Sequence, residues 1–360
     1  MSADAVRTPL YRSANIGVEA AEFGTKQAIF VGFSPYNMPA ERFGEAVFAK
    51  YRLNAIFVTA RGPHWFQYAD APQAAMAIRR ACAGYRRVIT IGVSMGGYAA
   101  LAFSGLLEPD IVLAFSPQFS IDRDKVPFER RWAKEARQID ADQGFVFDDM
   151  ALCRRSRIIV ISDPLGRDRK HVALIAARRP VEQLKLPLTG HKSLKIMAEM
   201  RLSSQFLRAA AAGDLDLAGF RRRFRERRAD SPTYLRQTAK ALQRRRAYVP
   251  GTLLRRITEL EQVQAAADDR KLAAAPEDAA RDARDFLRDL ASPGFRGGRR
   301  LAGQFAKLVP AILRDGLQAE ALAAIGAFGQ GTGRRVRLAE AMRQALLAEG
   351  AEAPKLHRYA

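Results

Sequence analysis

One serine and four histidines carry the chemistry that this chain could perform. The serine lies in Gly92-Val93-Ser94-Met95-Gly96-Gly97, a Gly-x-Ser-x-Gly pattern. A serine hydroxyl is a poor nucleophile at neutral pH and needs a neighbouring base, itself held in one tautomer by a carboxylate. The available bases are His64, His171, His191 and His357, and the last of these sits close to the C-terminus. His191 alone follows both Gly190 and the last apolar run that reads as a strand. Upstream of it, Ser162-Asp163-Pro164-Leu165-Gly166-Arg167-Asp168 offers two carboxylates, Asp163 and Asp168. Three residues at roughly 0.07 frequency each match by chance in about one chain of this length in ten. The surrounding elements must therefore decide whether the pattern is meaningful.

Arg87-Val88-Ile89-Thr90-Ile91 reads as a buried strand, and Tyr98 to Phe103 as a helix rich in Ala and Leu. That places Ser94 on a strand-to-helix turn, where glycines two residues to either side let backbones pass without Cβ clashes. Further buried strands are predicted at 27–31, 54–58, 111–115, 157–161 and 183–188, with helices at 40–50, at about 71–83 behind Asp70 as N-cap, and at 169–178. Leu10 to Gly24 reads only as an edge hairpin. Strands alternating with helices predict an α/β fold with a mostly parallel sheet, whose functional residues gather at the carboxyl ends of the strands. Beyond Arg201 the strand signal ends, and helices are predicted at 203–212, 217–228, 233–246, 252–267, 277–290, 301–313, 319–328 and 335–349. The expected division is a first domain over 1–200, interrupted by a short lid near 119–150, and an all-helical domain over 215–360. The helix pairs allow a repeat array, although the tetratricopeptide consensus is not legible in them.

From about Gln27 to Met200, roughly half of the chain, the sequence resembles the α/β-hydrolase superfamily, with Gly92 to Gly97 as its nucleophile elbow. The resemblance implies Ser94 as nucleophile and His191, in Gly190-His191-Lys192-Ser193, as base. It places the acid on the loop after the penultimate strand. Asp168 there immediately precedes a helix, where such enzymes usually carry the acid, and is the expected third member, with Asp163 at the end of a strand as the alternative; Asp168 is equally well placed to cap the helix. It also implies an oxyanion hole made by the backbone N–H of Met95 and by Phe33 or Ser34. His64, Trp65 and Phe66, with Trp132 from the excursion, are candidate walls of a substrate pocket, or core packing. Arg130, Arg131, Lys134 and Arg137 of the excursion would receive an anionic substrate or form a solvated face. His171, three residues after Asp168, reads as a capping residue or a support for the acid.

The chain has 360 residues, 48% of them hydrophobic, with a formal net charge of +21 and a pI near 10.6. Arginine clusters such as Arg221-Arg222-Arg223-Phe224-Arg225 are interrupted by acidic stretches, and no nucleic-acid-binding motif accompanies them. A solvated basic surface, or a protein partner for the helical domain, is expected before a polyanion. No phosphate-binding loop or dinucleotide fingerprint is present, and no cofactor or metal is expected. Cys82 and Cys153 have no metal or redox spacing. With no apolar leader and no run long enough for a membrane span, a cytoplasmic location is expected. The functional expectation is a serine esterase or related acyl hydrolase acting on a small-molecule or acyl substrate. The alternatives are an acyltransferase with the same triad, and a non-catalytic scaffold.

Overall fold

The computed structural model describes residues 5–352, except 39, 143, 148–149, 246–247, 275, 293–300 and 331–332. The first part runs β1 Val6–Arg12, β2 Ile16–Glu22, β3 Ile29–Phe33, α1 Glu45–Lys50, β4 Asn54–Ala60, α2 Ala71–Cys82, β5 Val88–Val93, α3 Met95–Ala102, α4 Ser104–Leu107, β6 Ile111–Phe115, α5 Ala133–Asp142, β7 Arg157–Ser162, α6 Arg169–Arg178 and β8 Glu182–Lys185. The helices that follow are α7 Ser193–Glu199, α8 Ser203–Ala212, α9 Leu217–Arg227, α10 Pro232–Arg244, α11 Gly251–Ala274, α12 Pro276–Ala291, α13 Leu301–Arg314, α14 Gln318–Gly329 and α15 Gly333–Glu352.

The strands form one eight-stranded sheet in the order β1-β2-β4-β3-β5-β6-β7-β8. β1 and β2 make an antiparallel hairpin, β2 is antiparallel to β4, and all remaining pairings are parallel. Parallel strands need crossovers, and the crossover helices cover both faces, so the strands are apolar at successive positions. On β6, Val112 and Ala114 enter one core while Ile111, Leu113 and Phe115 enter the other. β7 divides likewise, with Ile158 and Val160 on one face and Ile159 and Ile161 on the opposite one. α2, α3, α6 and the excursion between β6 and β7 close the first face; α1 and α7 to α10 close the second.

The chain separates into two compact units, 1–260 and 261–360. The expected division after residue 200 therefore moves: it falls within α11. Apolar residues of α8, α9 and α10, among them Phe206, Phe220, Phe224 and Leu235, are buried in the second sheet core, so these helices are part of the first unit. The second unit has its own core, built by α12 to α15 around Leu290, Phe305, Ile312, Ile325 and Met342.

Smaller departures have specific causes. Asp70 stands at the N-cap of α2 but makes no side-chain capping bond; its carboxylate accepts instead from Tyr11 Oη at 3.2 Å and Asn15 Nδ2 at 3.3 Å, tying the hairpin to the helix. The predicted helix over 40–50 shortens to α1, which starts after Gly44 in a left-handed conformation at φ 77°. The expected lid segment packs down onto the first core through Phe119, Ile121, Val126, Ala136 and Ile139.

Candidate active site

Ser94 occupies the turn between β5 and α3 at φ 57° and ψ −118°, a conformation that side chains avoid. The turn is locked by Ser94 N–H donating to the Phe115 carbonyl at 2.9 Å, and by Tyr98 N–H donating to the Ser94 carbonyl at 2.9 Å. The flanking glycines are required by close approach. A Cβ on Gly92 would collide with the backbone of Gly96, and a Cβ on Gly96 with the Phe33 carbonyl. Ser94 is 8% exposed, and among the described residues no hydrogen bond reaches its hydroxyl. Met95 follows at the first position of α3, where a helix leaves its N–H groups without intrahelical partners.

His191 lies on the tight turn between β8 and α7. Leu188 and Gly190 have positive φ there, Thr189 Oγ1 donates to the Leu186 carbonyl at 2.8 Å, and Lys192 N–H donates to the Thr189 carbonyl at 3.1 Å. The two aspartates separate clearly. Asp168 Oδ2 is 2.6 Å from His191 Nδ1, and its other oxygen accepts from Arg131 Nη2 at 2.7 Å. Asp168 is also the N-cap residue of α6, yet its side chain makes no capping bond. Asp163 instead organises backbone: its oxygens accept from Leu165 N–H and Gly190 N–H, each at 2.8 Å. Burial pushes the Asp168 carboxyl upward, but the hydrogen bond from His191 and the Arg131 charge outweigh it and hold the group below the usual carboxylate range. His191 Nε2 is buried and has no hydrogen-bond partner among the described residues, so it is not bonded to Ser94 Oγ. Catalytic hydrogen bonds are often long before substrate binds and tighten in the complex.

The residues expected to complete the oxyanion hole are engaged in the sheet. Phe33 is registered between Val58 and Gly92 within β3. Ser34 N–H donates to the Val58 carbonyl at 3.0 Å, and its hydroxyl accepts from Ala60 N–H at 3.2 Å. Since proline has no N–H, Pro35 offers no donor.

Of the expected pocket residues, Trp65 and Phe66 are fully buried. Phe66 packs edge-on against Phe33 and Phe103 in the core. Trp65 donates its indole N–H to Gln118 Oε1 at 3.2 Å and packs against Tyr36 and Trp132. His64 stacks on Tyr68 and lies 3.4 Å from Asp142. Trp132 is half-buried, with its indole N–H buried and without a partner among the described residues. A surface cavity of about 360 Å³ lined by Arg52, Arg86 and Arg87 lies at the amino ends of the strands, opposite Ser94.

The sequence did not single out Glu129. It accepts from Arg131 through the backbone N–H at 2.8 Å, through Nε at 3.0 Å to each oxygen, and through Nη2 at 2.6 Å. It also lies 2.9 Å from Nε2 of the wholly buried His171. Its placement beside the Arg130-Arg131 pair was the only signal, and such pairs are usually solvated. Among the described residues, no three His, Cys, Asp or Glu side chains are grouped to hold a metal ion, and no helix is long and apolar enough to cross a membrane.

No protein-family model matches the chain, and no curated protein matches it. Solved structures do match. An α/β serine hydrolase without a lid from Xanthomonas campestris is 13% identical at a TM-score of 0.39, with 56% of this chain and 92% of that chain covered. The capsule O-acetyltransferase of Neisseria meningitidis serogroup A is 12% identical at a TM-score of 0.41, with 56% and 93% covered. A fluorophosphonate-binding serine hydrolase of Staphylococcus aureus is 10% identical at a TM-score of 0.36, with 59% and 100% covered. Each is a likeness of part of this chain to another protein. The strand order, the antiparallel β2, the parallel strands from β3 onward and the serine turn after β5 make the part from β1 to α7 an α/β-hydrolase fold.

Proposed function

We propose that this chain is a serine-dependent acyl enzyme, an esterase or related acyl hydrolase. The observation that carries the proposal is the 2.6 Å contact of Asp168 with His191 Nδ1, on a fold that also holds Ser94 on a strained strand-to-helix turn. In this reading Ser94 Oγ attacks the acyl carbon as His191 Nε2 takes its proton. The carbonyl oxygen becomes an oxyanion facing the N–H of Met95, with the loop after β3 as the source of a second donor. When the tetrahedral intermediate collapses, the bond to the leaving group breaks, and His191 returns the proton to that group. Water, activated by the same imidazole, then releases the acid and restores Ser94. Asp168 keeps the proton of the free imidazole on Nδ1, leaving Nε2 as the acceptor. Support for that role comes from Nε2 being the ring nitrogen without a partner among the described residues.

The test is covalent labelling of Ser94 with a fluorophosphonate probe, located by peptide mass spectrometry. Wild type should label at Ser94 and Ser94→Ala should not. No label on wild type, or equal label on the variant, refutes the proposal. Product analysis with an added alcohol acceptor separates hydrolysis from acyl transfer, which use the same residues.

A further inference from the structure

We infer that Arg131, held by Glu129 and through it by His171, is a positioning residue for the Asp168–His191 pair. The inference deepens the proposed function and rests on it. A single nitrogen, Arg131 Nη2, lies 2.6 Å from Glu129 Oε2 and 2.7 Å from Asp168 Oδ1. Glu129 fixes the guanidinium from the opposite side, with the three further contacts from Nε and the backbone N–H. His171 anchors Glu129 in turn. Its Nδ1 accepts from the Phe119 N–H at 3.2 Å, so the ring proton resides on Nε2 and is donated to Glu129 at 2.9 Å.

Each member thus has a partner, and the groups that Arg131 joins are buried, Glu129 at 4% exposed, Asp168 at 3% and His171 at 0%, while the Arg131 side chain itself is 22% exposed. Such a network holds its members in one arrangement, because losing a bond to Glu129, Asp168 or His171 strands a polar group in a low-dielectric site. Phe119, Glu129 and Arg131 come from the excursion between β6 and β7, whereas Asp168 and His171 open α6. The network therefore pins the excursion to the first turn of the helix that presents the acid.

Two consequences follow for the pair. Arg131 takes one oxygen of Asp168 and leaves the other for His191 Nδ1, so the plane of the carboxylate is set independently of the imidazole. The guanidinium also offsets part of the negative charge that would otherwise stabilise the imidazolium formed during reaction. The charged groups on this side are Arg131, Glu129 and Asp168. Asp163 accepts from the Gly190 N–H, and Lys192 is the next residue along the chain. Removing the Arg131 cation moves the balance toward imidazolium.

The experiment compares Arg131→Met, Arg131→Lys and the double variant Glu129→Gln/Arg131→Met, which removes the Glu129 anion together with the cation, so that Asp168, still bonded to His191, is the one buried anion of the network deprived of Arg131. Two quantities are read from pH 5 to 9: the rate of fluorophosphonate labelling of Ser94, and the His191 imidazole titration followed by NMR. For Arg131→Met, the plateau rate should fall at least tenfold, and the acid limb and the NMR midpoint should move up by about one pH unit. Arg131→Lys should keep the acid limb near wild type while losing plateau rate, because the charge remains but the planar fork does not. In the double variant the plateau stays low and the acid limb returns part of the way, since a cation and an anion are removed together. Folded Arg131→Met and double variants with plateau rates within twofold of wild type and unmoved midpoints overturn the inference, while labelled wild type keeps the proposed function standing. If wild type does not label at all, the proposed function fails. The NMR midpoint then decides the inference alone: a shift in Arg131→Met supports the coupling and an unmoved midpoint overturns it.

Discussion

Exchanging each of the two competing aspartates for asparagine separates their roles. Asp168 supplies one oxygen to Arg131 at 2.7 Å and the other to His191 at 2.6 Å, and both neighbours are donors. Asparagine has one acceptor oxygen and one NH2, so Asp168→Asn can satisfy only one of them. The fixed cation of Arg131 takes the oxygen, because a charged donor facing an amide NH2 is the worse clash. The NH2 then faces His191 Nδ1 and donates to it, which moves the ring proton to Nε2. That tautomer cannot accept the proton of Ser94. A wrong tautomer on otherwise intact geometry lowers turnover by about ten-thousandfold in the serine-protease case, equivalent to ~5.5 kcal/mol in the barrier. A loss of a thousandfold or more in the labelling rate is expected here. Asp163→Asn keeps one of its two backbone contacts and strands the other, a loss of roughly 1–3 kcal/mol in stability. Its labelling rate should fall far less than that of Asp168→Asn once the protein is folded. Stopped-time labelling with the fluorophosphonate probe, paired with thermal unfolding, gives both numbers. A folded Asp168→Asn that retains a tenth of wild-type rate, or an Asp163→Asn that is folded and dead, refutes this assignment.

Three further outcomes are expected. Ser94→Gly should raise the unfolding free energy by about 1 kcal/mol in thermal or urea unfolding, because φ 57° with ψ −118° is strained for serine and open to glycine; a lower midpoint counts against strain at the turn. Glu129 and Asp168 both ionise below the usual range: burial opposes this, but the bonds from His171 and Arg131 to Glu129 and from His191 and Arg131 to Asp168 prevail. A depressed folded value means the stabilisation is complete above the ordinary carboxyl range near 4 and is lost as pH falls through the folded values. The melting temperature should therefore hold from pH 5 to 7 and drop below about pH 4, and a flat profile down to pH 3 would contradict the network. Finally, Cys82 is buried in α2 and its thiol is pushed up to about 12 by burial, so a thiol reagent at pH 8 should modify it only on unfolding, as read by intact mass.

Much of the sheet was legible because its signals are local. Ile111 to Phe115 and Arg157 to Ile161 are apolar runs whose β-branched content and flanking polar residues mark them as strands covered on both faces. The glycines at 92 and 96 marked the turn of Ser94 for a reason contained within five residues. Asp70 had the local look of a helix cap but serves the hairpin, because Tyr11 and Asn15 reach it from more than fifty residues away. Helices α8 to α10 were legible as helices, and their attachment was not. Their apolar faces are equally suited to a separate bundle, and only the apolar second face of the sheet determines that Phe206 and Phe220 pack there. Ser34 suited an oxyanion donor by position, yet the pairing of β3 with β4 commits its N–H to Val58.

Composition and spacing alone thus determined the strand-turn-helix around Ser94, the alternation that builds a parallel sheet and the order serine, aspartate, histidine along the chain. These depend on side-chain period, turn chemistry and backbone clashes within a few residues. The tertiary structure decided which aspartate meets His191, which backbone N–H groups are already spent, and that Arg131 joins Asp168 to Glu129 rather than facing solvent. Apart from the local Arg131–Glu129 contact, those outcomes turn on contacts of 2.6–3.0 Å between segments 20 to 40 residues apart, which exist only after the sheet has brought β3 beside β4 and β6, β7 and β8 side by side.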